Sequence, residues 1–163
     1  MATKIGTDHA EVIAVPSESD TRLWSSLNRV QQGIYRSMNA VMKKNGLPPL
    51  KWYDVLWGLE RNSETGLRAF QVEQASLFEQ SNLSRLLNKL IQEGLIEEFR
   101  CPSDGRGRIY KITTEGKALR MKMWRVYAPL IKENMSKLAS YIPADEVIPG
   151  LCSIVEEELS GNK

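Results

Sequence analysis

Apolar residues recur along this chain at steps of three and four over most of its length, broken by one short stretch that alternates. Leu23, Leu27, Val30, Ile34, Met38 and Val41 make a stripe about five turns long on one side of a helix, and Gly46 with Pro48-Pro49 ends it. Val55, Leu56 and Leu59 mark a shorter helix that stops near Asn62, and Asn62 to Gly66 reads as a loop. Val72, Ala75 and Leu77 suit a small third helix. Leu83, Leu86, Leu87, Leu90 and Ile91 then fall on one face of a fourth, with Ser81 placed to cap its start and Gly94 to end it in a left-handed turn.

The alternating stretch comes next. Residues 95–101 form a strand candidate, Pro102-Ser103-Asp104-Gly105 is turn chemistry, and 108–113 alternates with Tyr110 and Ile112 on one face. Beyond it Leu119, Met123, Val126, Leu130, Ile131, Met135 and Leu138 form a long stripe, in which Pro129 predicts a kink or a break. A last helix starts at Pro143 and carries Val147, Ile148, Leu151, Ile154, Val155 and Leu159. The predicted fold is therefore mainly α with a small β-hairpin (α+β).

Between residues 82 and 116 the order is helix, glycine stop, strand, polar turn with arginines, strand. That is the order of parts in a winged helix-turn-helix, whose usual work is holding duplex DNA. The face of the helix away from its apolar stripe carries Ser81, Ser84, Arg85, Asn88, Lys89 and Gln92, side chains that hydrogen-bond base edges or phosphates. Arg106 and Arg108 are expected at the hairpin tip, where an arginine suits the narrow, electronegative minor groove. Either feature alone also suits an ordinary solvated surface; their succession favours DNA contact.

Here the chain resembles the MarR family of bacterial transcriptional regulators. The resemblance rests on LSRLLNKLIQEGLI at 83–96, on Asp104-Gly105-Arg106 as the wing signature, and on Ile112-Thr113-Thr114-Glu115-Gly116 opening the next helix. Residues 50–56, Leu-Lys-Trp-Tyr-Asp-Val-Leu, resemble the family's approach to its second helix, and the likeness extends over roughly residues 20–160. One departure stands out. Where the family places a Leu-Ala pair and a tight turn, this chain has Val72-Glu73-Gln74-Ala75 followed by Phe78-Glu79-Gln80. The resemblance implies a homodimer with N- and C-terminal dimerisation helices, acting as a regulator, expected to be a repressor, on a palindromic operator. Arg85 corresponds to the family's recognition-helix arginine and Arg106 to its wing arginine.

Composition narrows the classes. Net charge is only +2, but the charges are segregated. Arg22, Arg29, Arg36, Lys43, Lys44 and Lys51 lie in a stretch with no acid between Asp20 and Asp54, whereas Glu156, Glu157 and Glu158 cluster near the end. Segregation of this kind can give a basic face on a nearly neutral molecule. Cys101 and Cys152 lie far apart with no CxxC spacing, which argues against zinc or a disulfide framework and for a reducing cytoplasm. Nothing resembles a membrane span, and no GxSxG, P-loop or HExxH motif suggests an enzyme. No cofactor or metal is expected.

The expected organisation is a disordered acidic tail at 1–20, a dimerisation helix at 21–49, the winged domain at 50–116 and further dimerisation helices at 117–163. The apolar stripes outside the winged domain need a surface to bury against. They could pack within one chain, but interdigitation in a two-fold dimer accounts for them better. Two-fold symmetry would set two recognition helices about 34–36 Å apart in successive major grooves. Arg85 is expected on bases, Ser81, Asn82 and Ser84 on phosphates or bases, Lys89 and Arg68 on phosphates, and Arg106 in the minor groove. The resemblance also implies a small aromatic or phenolic effector bound where the dimerisation helices meet the winged domain. Trp24, Tyr35, Trp52, Trp57, Trp124 and Tyr127 are candidates to line its pocket, although aromatics at helix joints more often form plain core. The competing reading is a winged-helix module that binds protein through the same polar face.

Overall fold

The computed structural model describes residues 15–76, 82–101 and 104–161, for 101, 104–106 and 157–161 the backbone alone. Residues up to Tyr35 form one unit and those from Arg36 onward another. The long first helix, α1 (Glu18–Lys44), begins in the first and ends in the second.

In the N-terminal unit, α1 starts earlier than the charge pattern suggested. Ser17 Oγ accepts the backbone N–H of Asp20 at 3.1 Å, while Asp20 Oδ2 accepts the N–H of Ser17 at 2.9 Å. This reciprocal cap satisfies two donors that a helix start otherwise leaves unpaired. The expected tail boundary at residue 20 is therefore corrected: Glu18 to Asp20 are the first turn of the helix, and residues 1–14 lie outside the described ones. Leu23, Trp24, Leu27 and Val30 are all at least half exposed.

In the second unit, Met38 and Met42 bury the last turns of α1. After the Pro48-Pro49 pair, α2 (Leu50–Arg61) begins with its first N–H bonded to Asn39 Oδ1 at 2.9 Å, so α1 caps its successor. A short α3 (Ala69–Ala75) is capped by Gln71, whose side chain accepts the Arg68 N–H at 2.9 Å. Helix α4 (Leu83–Gln92) starts at Asn82, and the expected cap Ser81, like Leu77, lies outside the described residues. Strands β1 (Ile96–Cys101) and β2 (Asp104–Ile112) form an antiparallel hairpin. Helices α5 (Thr114–Ala139) and α6 (Ala144–Gly161) complete the chain.

One apolar core joins α2, α3, α4 and the hairpin. Val55, Leu56, Leu59, Leu67, Val72, Leu86, Leu87, Leu90, Leu95, Ile96 and Tyr110 are its buried members. Each buried Leu- or Ile-sized side chain contributes about 1.5–3 kcal/mol. Gly94 ends α4 as expected, at φ 69°, with the N–H of Leu95 reaching back to the Leu90 carbonyl at 2.9 Å. Thr113 then ties this corner to α5: its hydroxyl donates to the Gly94 carbonyl at 2.8 Å and accepts the Gly116 N–H at 3.0 Å.

Two features depart from expectation. Helix α5 runs unbroken through Pro129, so of the expected kink or break the break does not occur. The proline costs one backbone bond and a local clash, about 3 kcal/mol, and the buried Met123 and Tyr127 anchor the preceding turns. The second is a backbone bridge between Leu67 and Tyr110, through bonds of 3.1 and 2.8 Å, which adds a short third rung to the hairpin. Gly66 makes it possible. Its φ is +72°, and a Cβ there would sit 2.8 Å from the Tyr110 carbonyl oxygen.

Candidate nucleic-acid interface

Helix α4 divides as its spacing predicts. Leu86, Leu87 and Leu90 turn into the core, and Asn82, Ser84, Arg85, Asn88, Lys89 and Gln92 are exposed. The exposed set holds hydroxyls, amides and two cations, a surface able to donate to phosphates and to read base edges. Lys89 is not alone there: its ammonium lies 2.7 Å from Glu93 Oε1, one turn on. That pair is half exposed and marginal in energy, so a phosphate can compete for the lysine. Arg68, half-buried at the start of α3, stands at the junction of the α2–α3 loop.

The hairpin is held at its base, not only by its own ladder. Beside the Leu67–Tyr110 bridge, Lys111 Nζ donates to the Glu64 carbonyl at 2.6 Å. Both contacts fasten β2 to the loop after α2 and so fix the hairpin's direction relative to α4.

Strand β2 begins at Asp104, so Arg106 and Arg108 both lie within it, and Arg108 stands in the last regular pair before the turn. Register pairs Arg100 with Arg108 and Glu98 with Tyr110, with an irregularity between Arg100 and Cys101. Arg108 donates from one guanidinium nitrogen to both carboxylate oxygens of Glu98, at 2.8 and 3.0 Å. This bond and charge hold the Arg108 pKa above its ordinary value. The side chain of Arg106 lies outside the described ones. Sequence reading missed Glu98 because a diagonal partner is visible only once the register is known, and the irregular turn hides the register.

The aromatic candidates separate into groups. In the second unit a cavity of about 390 Å³ is lined by Tyr53, Trp57, Arg120, Trp124, Tyr127 and Ile131. Tyr53 stacks on Trp124 at 5.7 Å between ring centroids, and Tyr127 meets Tyr53 edge-on at 5.1 Å. Trp52 instead packs against the apolar core, which removes it from the candidate pocket. Trp24 is exposed and Tyr35 half-buried, both in the N-terminal unit. Three lining residues were not foreseen as such, Tyr53, Arg120 and Ile131. The Arg120 guanidinium is ion-paired with Glu60 and puts a cation in the cavity wall. Burial raises the Tyr53 phenol above its usual pKa, and the hydrogen bond and charge of Arg120 oppose that rise. Neither residue has a helix-periodic signature that would mark it, because α2 and α5 bring them together only in the fold.

Among the described residues, no three His, Cys, Asp or Glu side chains are grouped to hold a metal, and no single helix is long and apolar enough to cross a membrane.

A helix with a polar exposed face, packed on two others and followed by a fastened hairpin, defines a winged helix-turn-helix. Residues 45–107, which span the winged segment, match the model of the MarR family. No curated protein matches the sequence. Solved structures share the fold over nearly the whole chain. AbsC, a MarR family transcriptional regulator from Streptomyces coelicolor, is 18% identical with a TM-score of 0.74, covering 91% of this chain and 99% of its own. Sco3205, a MarR family regulator from the same organism solved in complex with DNA, is 19% identical with a TM-score of 0.71, covering 92% of each chain. The transcriptional regulator BldR from Sulfolobus Solfataricus is 20% identical with a TM-score of 0.70, covering 86% of this chain and 96% of its own. At these identities the shared property is the fold.

Proposed function

We propose that this protein is a sequence-specific double-stranded-DNA-binding transcriptional regulator that acts as a homodimer on a palindromic operator. The observation that carries this reading is the exposed polar face of α4 beside the hairpin, with its apolar face consumed by the core. Arg85 is assigned to base edges in the major groove, with Asn82 and Ser84 near the helix start on phosphates or bases. Lys89 and Arg68 are assigned to phosphates and Arg106 to the minor groove. Sco3205, with the same fold, was solved with DNA bound. Dimerisation is supported by the apolar residues left outside, at least half exposed on the first turns of α1 and nearly so or more on α6.

The decisive experiment is selection of bound fragments from random or genomic duplex DNA. Recovery of an inverted repeat, with half-sites about one helical turn apart, is the expected result. A protein that binds no duplex at low salt would end this reading and favour a module that binds protein.

The cavity beneath Trp124 supports the finer reading that a small aromatic compound releases the protein from DNA, the outcome expected of a repressor. Its size falls within the range of about 300–1,000 Å³ typical of small-molecule sites. Arg120 in its wall suits an anionic aromatic such as a benzoate or phenolate. Quenching of tryptophan fluorescence by such compounds, abolished in Trp124→Ala, is the expected result; unchanged quenching in that variant would remove the assignment.

A further inference from the structure

The wing holds a cation that it does not extend toward its tip. Arg100 and Arg108 sit directly opposite each other across the hairpin, like charges at the closest cross-strand spacing. Glu98, two pairs further from the turn and so on the same sheet face, lies diagonal to Arg108 and receives it on both carboxylate oxygens at 2.8 and 3.0 Å. The direction follows from register alone: Glu98 faces Tyr110, so the Arg108 side chain leans toward the base of the wing. Arg108 is nonetheless 65% exposed, so solvent and counterions reach it.

We infer that Glu98 is a positioning residue that occupies Arg108 in place of a DNA phosphate, limiting the number of cations each wing brings to the duplex. The inference rests on the DNA-binding reading above. Its physical basis is competition: a carboxylate held on the same face of the hairpin meets the guanidinium at high local concentration, whereas a phosphate must displace it. The tether lowers affinity for duplex of any sequence and leaves discrimination to α4. It also relieves the Arg100–Arg108 repulsion, so the pair helps the hairpin keep its register.

Glu98→Gln keeps the side-chain size and removes the charge. Released Arg108 would add one phosphate contact per wing, or two per dimer. The slope of log K against log salt then steepens by about 1.8, at about 0.9 per contact. The affinity ratio of variant to wild type is consequently about twelvefold larger at 50 mM than at 200 mM salt. The second variant is Glu98→Gln combined with Arg108→Ala, which returns the slope to that of Arg108→Ala alone. Thermal melting of each variant checks that the hairpin still folds. An unchanged or shallower slope in a folded Glu98→Gln protein overturns the tether while leaving DNA binding intact, as does a steeper slope that survives loss of Arg108. Absence of salt-dependent binding by the wild type overturns the DNA reading, and the tether with it.

Discussion

Helices α4 and α6 are written in the same amphipathic code and meet opposite fates. In α4 the leucines at 86, 87 and 90 are buried, Leu90 completely. In α6, Ile148, Leu151, Ile154 and Val155 are between 47% and 59% exposed. The sequence spacing of the two stripes is alike, so periodicity does not decide the difference. What decides it is supply of facing surface: α2, α3 and the hairpin surround α4, while α6 is offered no comparable core. One helix completes a domain, and the other leaves its apolar face exposed.

The largest effect should come from the buried stripe. Leu90→Ala opens a cavity in the core and is expected to cost about 2–5 kcal/mol of unfolding free energy, read by denaturant or thermal unfolding. A loss no greater than that of a surface substitution would break the contrast with α6. On the exposed side, Leu151→Ala with Ile154→Ala should leave the winged domain folded and weaken the dimer by about 2–4 kcal/mol, read by sedimentation equilibrium. An unaltered dissociation constant would put the partner surface elsewhere.

Within α4 itself, Arg85→Ala should lower operator affinity by about 1–3 kcal/mol and relax preference at one base position, measured by competition binding. A loss equal for all sequences, with a shallower salt slope, would reassign Arg85 to phosphate. The smallest effect is a pH dependence. Burial raises the Tyr53 and Tyr110 phenols above their usual value in the fold. Above about pH 10 the unfolded chain has lost those protons while the folded one keeps them, so stability falls as pH rises. Denaturant midpoints between about pH 9 and pH 11 should show that decline, and Tyr53→Phe should flatten it. A profile identical in Tyr53→Phe would remove Tyr53 as a source.

Much of the candidate site is legible in the sequence. The polar positions of α4, its stop at Gly94, and the hairpin after it follow from periodicity and turn chemistry, which are properties of neighbours in sequence. The Leu67 rung, the Lys111–Glu64 bond and the Glu98–Arg108 pair were not legible. Each joins residues whose proximity depends on strand register or on a loop folding back. At Pro129 the helix does not break, for the related reason that a local helix breaker is overruled when tertiary contacts anchor its flanks.

The chain's order of residues therefore determined by itself which segments are helix, where the hairpin falls, and which face of α4 is polar, because those follow from short-range geometry. Only the tertiary structure decided which apolar stripe is consumed and which is left over. It also decided that Trp52 packs against the core while Tyr53 and Arg120 line a cavity, and that Arg108 is engaged by a carboxylate. Burial and pairing depend on what stands opposite a side chain, and that is set by packing between segments distant in sequence.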